Sequence, residues 1–153
     1  MTSSTTQSHS HDPLRHSSDE LKSILREFFR KAYTEGDESV IDTLMAPDVL
    51  HHGLARDPIV GRDAFRRWYH AFRGSFTDTH CSLTHICVED DLAAARVLFT
   101  GTHSTAAFGF PPTGNQVSLS AVILCRFEHG QVAEAFNEFD HLSLLQQLGA
   151  IPT

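Results

Sequence analysis

Residues 130–149 read GQVAEAFNEFDHLSLLQQLG, and the interpretation of this stretch decides the fold. Its first half alternates in character residue by residue, as a strand with one buried face does. At Asp140 the period changes, and Leu142, Leu144, Leu145 and Leu148 recur as on one side of a short helix. A strand runs directly into a helix. Strand side chains point alternately to opposite faces, so Ala133, Ala135, Asn137 and Phe139 are expected on one side, with Val132, Glu134, Phe136 and Glu138 on the other. Asn137 is then the lone polar group in an apolar row. A buried amide needs hydrogen-bond partners, and either neighbouring backbone or a ligand admitted by the small alanines can supply them.

Working outward, the preceding residues keep the two-residue period over 79–89, 92–104 and 116–128, with a turn at Asp90-Asp91 and a loop rich in Gly and Pro between the last two. On residues 92–103 the odd row holds Ala93, Ala95, Val97 and Phe99 and ends on His103. On residues 116–127 it holds Val117, Leu119, Ala121, Ile123, Cys125 and Phe127. If these rows share a concave side with Asn137, they form a mostly dry pocket with an imidazole and an amide as its polar points. The even face carries Leu98, Val122, Leu124, Val132 and Phe136, more apolar than a wetted face should be, which points to a second subunit and a homodimer.

The first half of the chain has helical spacing instead. Ser17 and Glu20 form a capping box ahead of Leu21, Ile24, Leu25, Phe28, Phe29, Ala32 and Tyr33, and Gly36 closes that helix. Asp37 caps a short helix over residues 39–45, which Pro47 ends, and residues 48–52 read as a brief strand. Phe65, Trp68, Tyr69 and Phe72 mark the apolar stripe of a third helix, stopped by Gly74. Three helices followed by a meander of antiparallel strands, with a short C-terminal helix, is an α+β architecture of helices packed on one face of a curved sheet.

Composition limits the function. With 153 residues, 41% of them hydrophobic and 20% charged, the chain reads as one soluble domain over 17–153, preceded by a Ser/Thr/His-rich disordered tail over 1–16. His9 and His11 in that tail supply at most two metal ligands without a rigid frame. A formal charge of -7 disfavours nucleic acid and anionic membranes as partners, and a small hydrophobic molecule is the better expectation. No apolar run reaches the roughly 18 residues of a membrane helix, and no signal peptide is legible. Cys81, Cys87 and Cys125 fit reduced thiols and a cytoplasmic location.

The segments FFRKAYTEGD, LMAPDVLHHG, GRDAFRRW, GTHSTAAFGFPPTG and RFEHGQVAEAFNEFDHLSLLQQLG together resemble the SnoaL-like polyketide cyclase family of the nuclear-transport-factor-like superfamily. The resemblance spans residues 21–150. It implies a cone-shaped α+β barrel, usually homodimeric, with a pocket between helices and concave sheet. It also implies intramolecular aldol closure of a polyketide ring with neither metal nor organic cofactor. In such cyclases an Asp on the final strand is the acid/base and a His on the preceding strand assists it. Aligned on Gly130, those positions hold Asn137 and Ile123.

A carboxamide does not exchange protons near neutral pH, so Asn137 cannot be the base, though it can donate to an enolate oxygen. His103, in the family's GTH motif, and His52, where relatives place a pocket-facing His, are the candidate bases. His103 has the alternative of anchoring the Pro-rich loop, and strand alternation sends His51 the other way from His52. Asp140 is better placed to cap the last helix than to act in the site. Trp68, Phe72, Phe108 and Phe110 are expected to line the pocket with Phe99, Ile123 and Phe139, the aromatic helix stripe being equally suited to plain core. His80 and His85 face opposite ways and lack a third ligand, so no metal site is expected. Two functions remain: an acid/base enzyme on a small carbonyl compound, and a binding protein that keeps the pocket without the chemistry.

Overall fold

A computed structural model describes residues 15–153. The expected tail, His9 and His11 included, lies outside the described residues except for Arg15 and His16. Helix α1 (Ser18–Phe29) starts on the expected capping box. The Ser17 hydroxyl accepts from the Glu20 amide at 3.2 Å, and the Glu20 carboxylate accepts from the Ser17 amide at 2.7 Å. The helix then widens into a π-helical turn, Arg30–Glu35, that the apolar spacing did not announce. Thr34 is tied there to the backbone of a distant strand, taking a bond from the Cys81 amide (2.9 Å) and giving one to the Cys81 carbonyl (3.3 Å). Gly36, at φ 75°, ends the turn.

Helix α2 (Ser39–Leu44) follows, with Asp37 accepting from the Ser39 amide at 3.0 Å. Strand β1 (Met45–His52) begins at once, earlier than Pro47 suggested. Its pairing is irregular between Met45 and Leu50, which accommodates a residue without an amide hydrogen. The short β2 (Ile59–Val60) and helix α3 (Arg62–Arg73) precede β3 (Phe76–Glu89), β4 (Leu92–His103), β5 (Gln116–Glu128) and β6 (Gln131–Phe139). Helix α4 (His141–Gln147) ends the fold, capped as expected by Asp140, whose carboxylate accepts from the Ser143 amide at 3.0 Å.

The six strands lie in the order β2-β1-β6-β5-β4-β3, a curved sheet that does not close on itself. It is antiparallel except between β1 and β6, which run parallel, a departure from the wholly antiparallel expectation. The register puts the apolar rows side by side: Phe99 beside Leu119, Val97 beside Ala121 and Phe139, Ala95 beside Ile123 and Asn137. Leu25, Phe28, Phe65 and Phe72 from α1 and α3 pack onto this face and complete the core. One parity differs. A bulge between Arg126 and Phe127 shifts the start of β6, so Val132 turns into the core instead of outward. Among the described residues no helix is long and apolar enough to cross a membrane.

Candidate active site

The concave face of the sheet, α1 with its π-helical turn, and α3 line a pocket with ≈ 660 Å³ of atom-free space, the open solvent at its mouth included. A smaller vestibule of ≈ 260 Å³ adjoins it, bounded by Phe108, His141 and Leu144, and the two share Leu54, Trp68, Phe72, Leu119 and Phe139. Among the described residues no Asp, Glu, Lys or Arg lines either chamber. Burial drives the Cys81 and Cys125 thiols of the wall up to about 12, so both stay neutral and unreactive.

Among the described residues, three lining side chains carry a nitrogen or oxygen that is not fully occupied elsewhere. Asn137 is 5% exposed and donates from its amide nitrogen to the His52 carbonyl at 2.8 Å. That bond fixes the carboxamide and leaves its second hydrogen free for a ligand. The close approach depends on Gly53 (φ 81°), because a Cβ there would collide with the Asn137 carbonyl oxygen. His51 is 4% exposed, lies flat against Phe65 with centroids 4.3 Å apart, and has no partner for either ring nitrogen among the described residues. Burial, reinforced by neighbouring His52, lowers its pKa to about 4, so the ring is neutral at pH 7, one nitrogen carrying the hydrogen and the other a lone pair. Tyr33, on the π-helical turn, is the third. Its pKa is held well above the ordinary phenol value by burial, so the hydroxyl remains a donor.

His51 pairs with Ala135 across the β1–β6 ladder, and Asn137 lies two residues further along the same face. With strand spacing and rise as usual, their Cα atoms are on the order of 8 Å apart. The imidazole and the carboxamide therefore belong to adjacent strands of the same wall.

The sequence expectations divide accordingly. Asn137, Trp68, Phe72, Phe99, Ile123 and Phe139 line the cavity. Phe108 lines only the vestibule, and Phe110 lines neither chamber, its backbone being paired with Ala107. His52 is a correction: it pairs with Phe136 on the outward face, stacks on that ring at 4.4 Å and bonds Glu134 at 3.0 Å. The inward place belongs to His51, on the same face as buried Val49 two residues earlier. His103 is a second correction. It is fully buried at the end of β4 but outside the cavity wall, its Nδ1 accepting from the Thr113 amide at 3.2 Å. The loop-anchoring alternative describes those contacts. Tyr33 was legible only as one more apolar-stripe residue, since nothing in the spacing reports a π-helical turn.

A family description, SnoaL-like polyketide cyclase, matches residues 23–148. The chain belongs to this family. Among solved structures of similar proteins, TsrD from Streptomyces laurentii is 28% identical with a TM-score of 0.81, the match covering 89% of this chain and 99% of that one. AclR from Streptomyces galilaeus, a candidate hydroxylase, is also 28% identical, with a TM-score of 0.78 over 89% of this chain and 100% of its own. IdmH from Streptomyces antibioticus, a candidate polyketide cyclase, is 26% identical, with a TM-score of 0.72 over 88% of this chain and 99% of its own. No curated protein sequence matches this SnoaL-like chain. The cavity of this SnoaL-like chain has His51, Asn137 and Tyr33 among its lining residues.

Proposed function

We propose that this SnoaL-like protein catalyses ring closure or a related enolisation of a small, apolar carbonyl compound, with His51 as base and Asn137 as the donor that polarises the carbonyl. The observation that carries the reading is a neutral, unpartnered imidazole beside a tethered carboxamide in an otherwise dry cavity. The lone-pair nitrogen of His51 takes a proton from the carbon next to the carbonyl. The C–H electron pair moves into a new carbon–carbon double bond, and the carbonyl electrons move to oxygen. The free Asn137 N–H stabilises that oxygen, an interaction worth roughly 3 kcal/mol when preorganised in a water-poor site. For a polyketone the enolate carbon then attacks a second carbonyl carbon of the same molecule, and His51 returns its proton to the resulting alkoxide.

Asn137 stands where the resemblance places an acidic residue, and Ile123, its direct cross-strand partner, where it places a His. In this reading the base moves from β6 to β1. The assay is single-turnover kinetics on a linear β-polyketone. Cyclised product forming faster than in buffer supports the enzyme, whereas tight binding without turnover leaves the alternative of a non-catalytic carrier.

The outward sheet face supports a homodimer as the working form. Val122 (51% exposed), Phe136 (43%) and Leu124 (39%) form an apolar strip there across adjacent strands. Covering such a strip contributes about 25 cal/mol per Å² before association costs. Light scattering after size exclusion is expected to give twice the chain mass, and Leu124→Glu to give a monomer. A native monomer at micromolar concentration would refute the dimer.

A further inference from the structure

We propose that Phe108, at the tip of the loop between β4 and β5, sets how long a fused-ring ketone this protein accepts, its ring closing the vestibule over the outermost ring of the ligand. The inference rests on the reading of the cavity as a carbonyl-compound site and names the residue that selects within it.

Four non-glycine residues among those described have a positive φ: Asp78, Asp90, Phe108 and His129. Three are polar residues of the kinds that visit the left-handed region with some frequency. A bulky aromatic there is a steric outlier, the sort of strain that marks functional positions. The turn itself does not ask for it. Ala107 and Phe110 exchange backbone hydrogen bonds at 3.0 and 2.8 Å around Phe108 (φ 53°) and Gly109 (φ 80°), a two-residue turn that Asn-Gly would form without strain.

What the ring does instead is visible in its surroundings. It lines the vestibule, meets Phe72 edge-on at 6.3 Å, and is still 47% exposed. The stems of the loop are bolted down: the Ser104 and Thr105 amides bond the Ser75 carbonyl, and the Thr113 amide bonds the buried His103 ring. Among the described residues the tip has no backbone bonds except its own. A fixed frame therefore carries an aromatic ring whose free face looks across a chamber walled by Trp68, Phe139 and Leu144. Along β6, Phe139 lies two residues beyond Asn137 on the same face, so the vestibule starts roughly 7 Å from the polarising amide. A bicyclic ketone held at Asn137 stays inside the inner chamber, and a third fused ring reaches Phe108.

Phe108→Gly removes the ring and suits the left-handed backbone, so the variant folds, with a melting temperature unchanged or raised. Trp68 is the single tryptophan of the chain and lines both chambers, which makes its fluorescence a direct reporter. Titration with 1-tetralone and its linear three-ring homologue 1,2,3,4-tetrahydroanthracen-1-one is expected to show two-ring affinity unchanged in Phe108→Gly and three-ring affinity weakened roughly tenfold. Acrylamide quenching of Trp68 without ligand is expected to rise in the variant. Equal affinities of the native protein and the variant for the three-ring ketone, or equal weakening of both ketones, would overturn the selection. Failure of either ketone to bind the unmodified protein counts against the carbonyl-site reading, and unchanged acrylamide quenching counts against Phe108 as the cover.

Discussion

His51→Phe is expected to cyclise a β-polyketone some 10²- to 10⁴-fold more slowly than the unmodified protein in single-turnover kinetics, the range that loss of a positioned general base produces. Phenylalanine keeps a flat ring against Phe65, where the imidazole lies parallel at 18°, so the cavity wall survives while the lone pair is lost. Ketone binding should change little, because Asn137 keeps its tether to the His52 carbonyl. The loss therefore falls on the chemical step and not on affinity. The corresponding His52→Phe and His103→Phe variants have no such expectation, since one ring faces outward against Phe136 and the other bonds the loop at Thr113. A His51→Phe protein that turns over at the native rate would remove His51 from the mechanism.

The second large effect is on stability in acid. In the folded chain the His51 ring titrates at about 4, lowered by burial, against an ordinary value of 6.5. Between those values the unfolded chain binds the proton more readily, so stability rises with pH across the window and is fully present above the ordinary value. At 1.36 kcal/mol per pKa unit, going from about pH 7 to about pH 4.5 removes on the order of 2.5 kcal/mol through this one group. Urea unfolding of the native protein and of His51→Phe at both pH values isolates it. The native protein is expected to lose roughly 2–3 kcal/mol more than the variant, and equal losses would mean that His51 does not bury a neutral ring.

The same ring shows where the sequence is legible and where it is not. Period-two alternation over β4 and β5 assigned every inward residue there, because long regular strands with one buried face leave little freedom. β6 was read correctly from Glu134 onward and wrongly at Val132, since a bulge inserts a residue without any mark in composition. β1 is harder still. Eight residues with a proline and an irregular register allow either parity for the His51–His52 pair, and buried Val49 decides between them only once the strand's true start is known. The parallel pairing of β1 with β6 joins residues more than eighty apart, beyond any local signal. The inward place of Asn137 follows from spacing alone, because a lone amide in an apolar row is visible there. Tyr33 reads as one more residue of the helical apolar stripe, and the π-helical turn that carries it leaves no mark in the spacing.

In the proposed reaction Asn137 donates a hydrogen bond to a carbonyl inside the cavity, and the vibration of that carbonyl reports the bond. Infrared difference spectra of isotope-labelled 1-tetralone bound to the native protein should place the carbonyl band below its position in an apolar solvent. In Asn137→Leu, which fills similar space without a donor, the band should move back up while the ketone remains bound. A native band already at the apolar-solvent position, or one that Asn137→Leu leaves where it was, would contradict the claim.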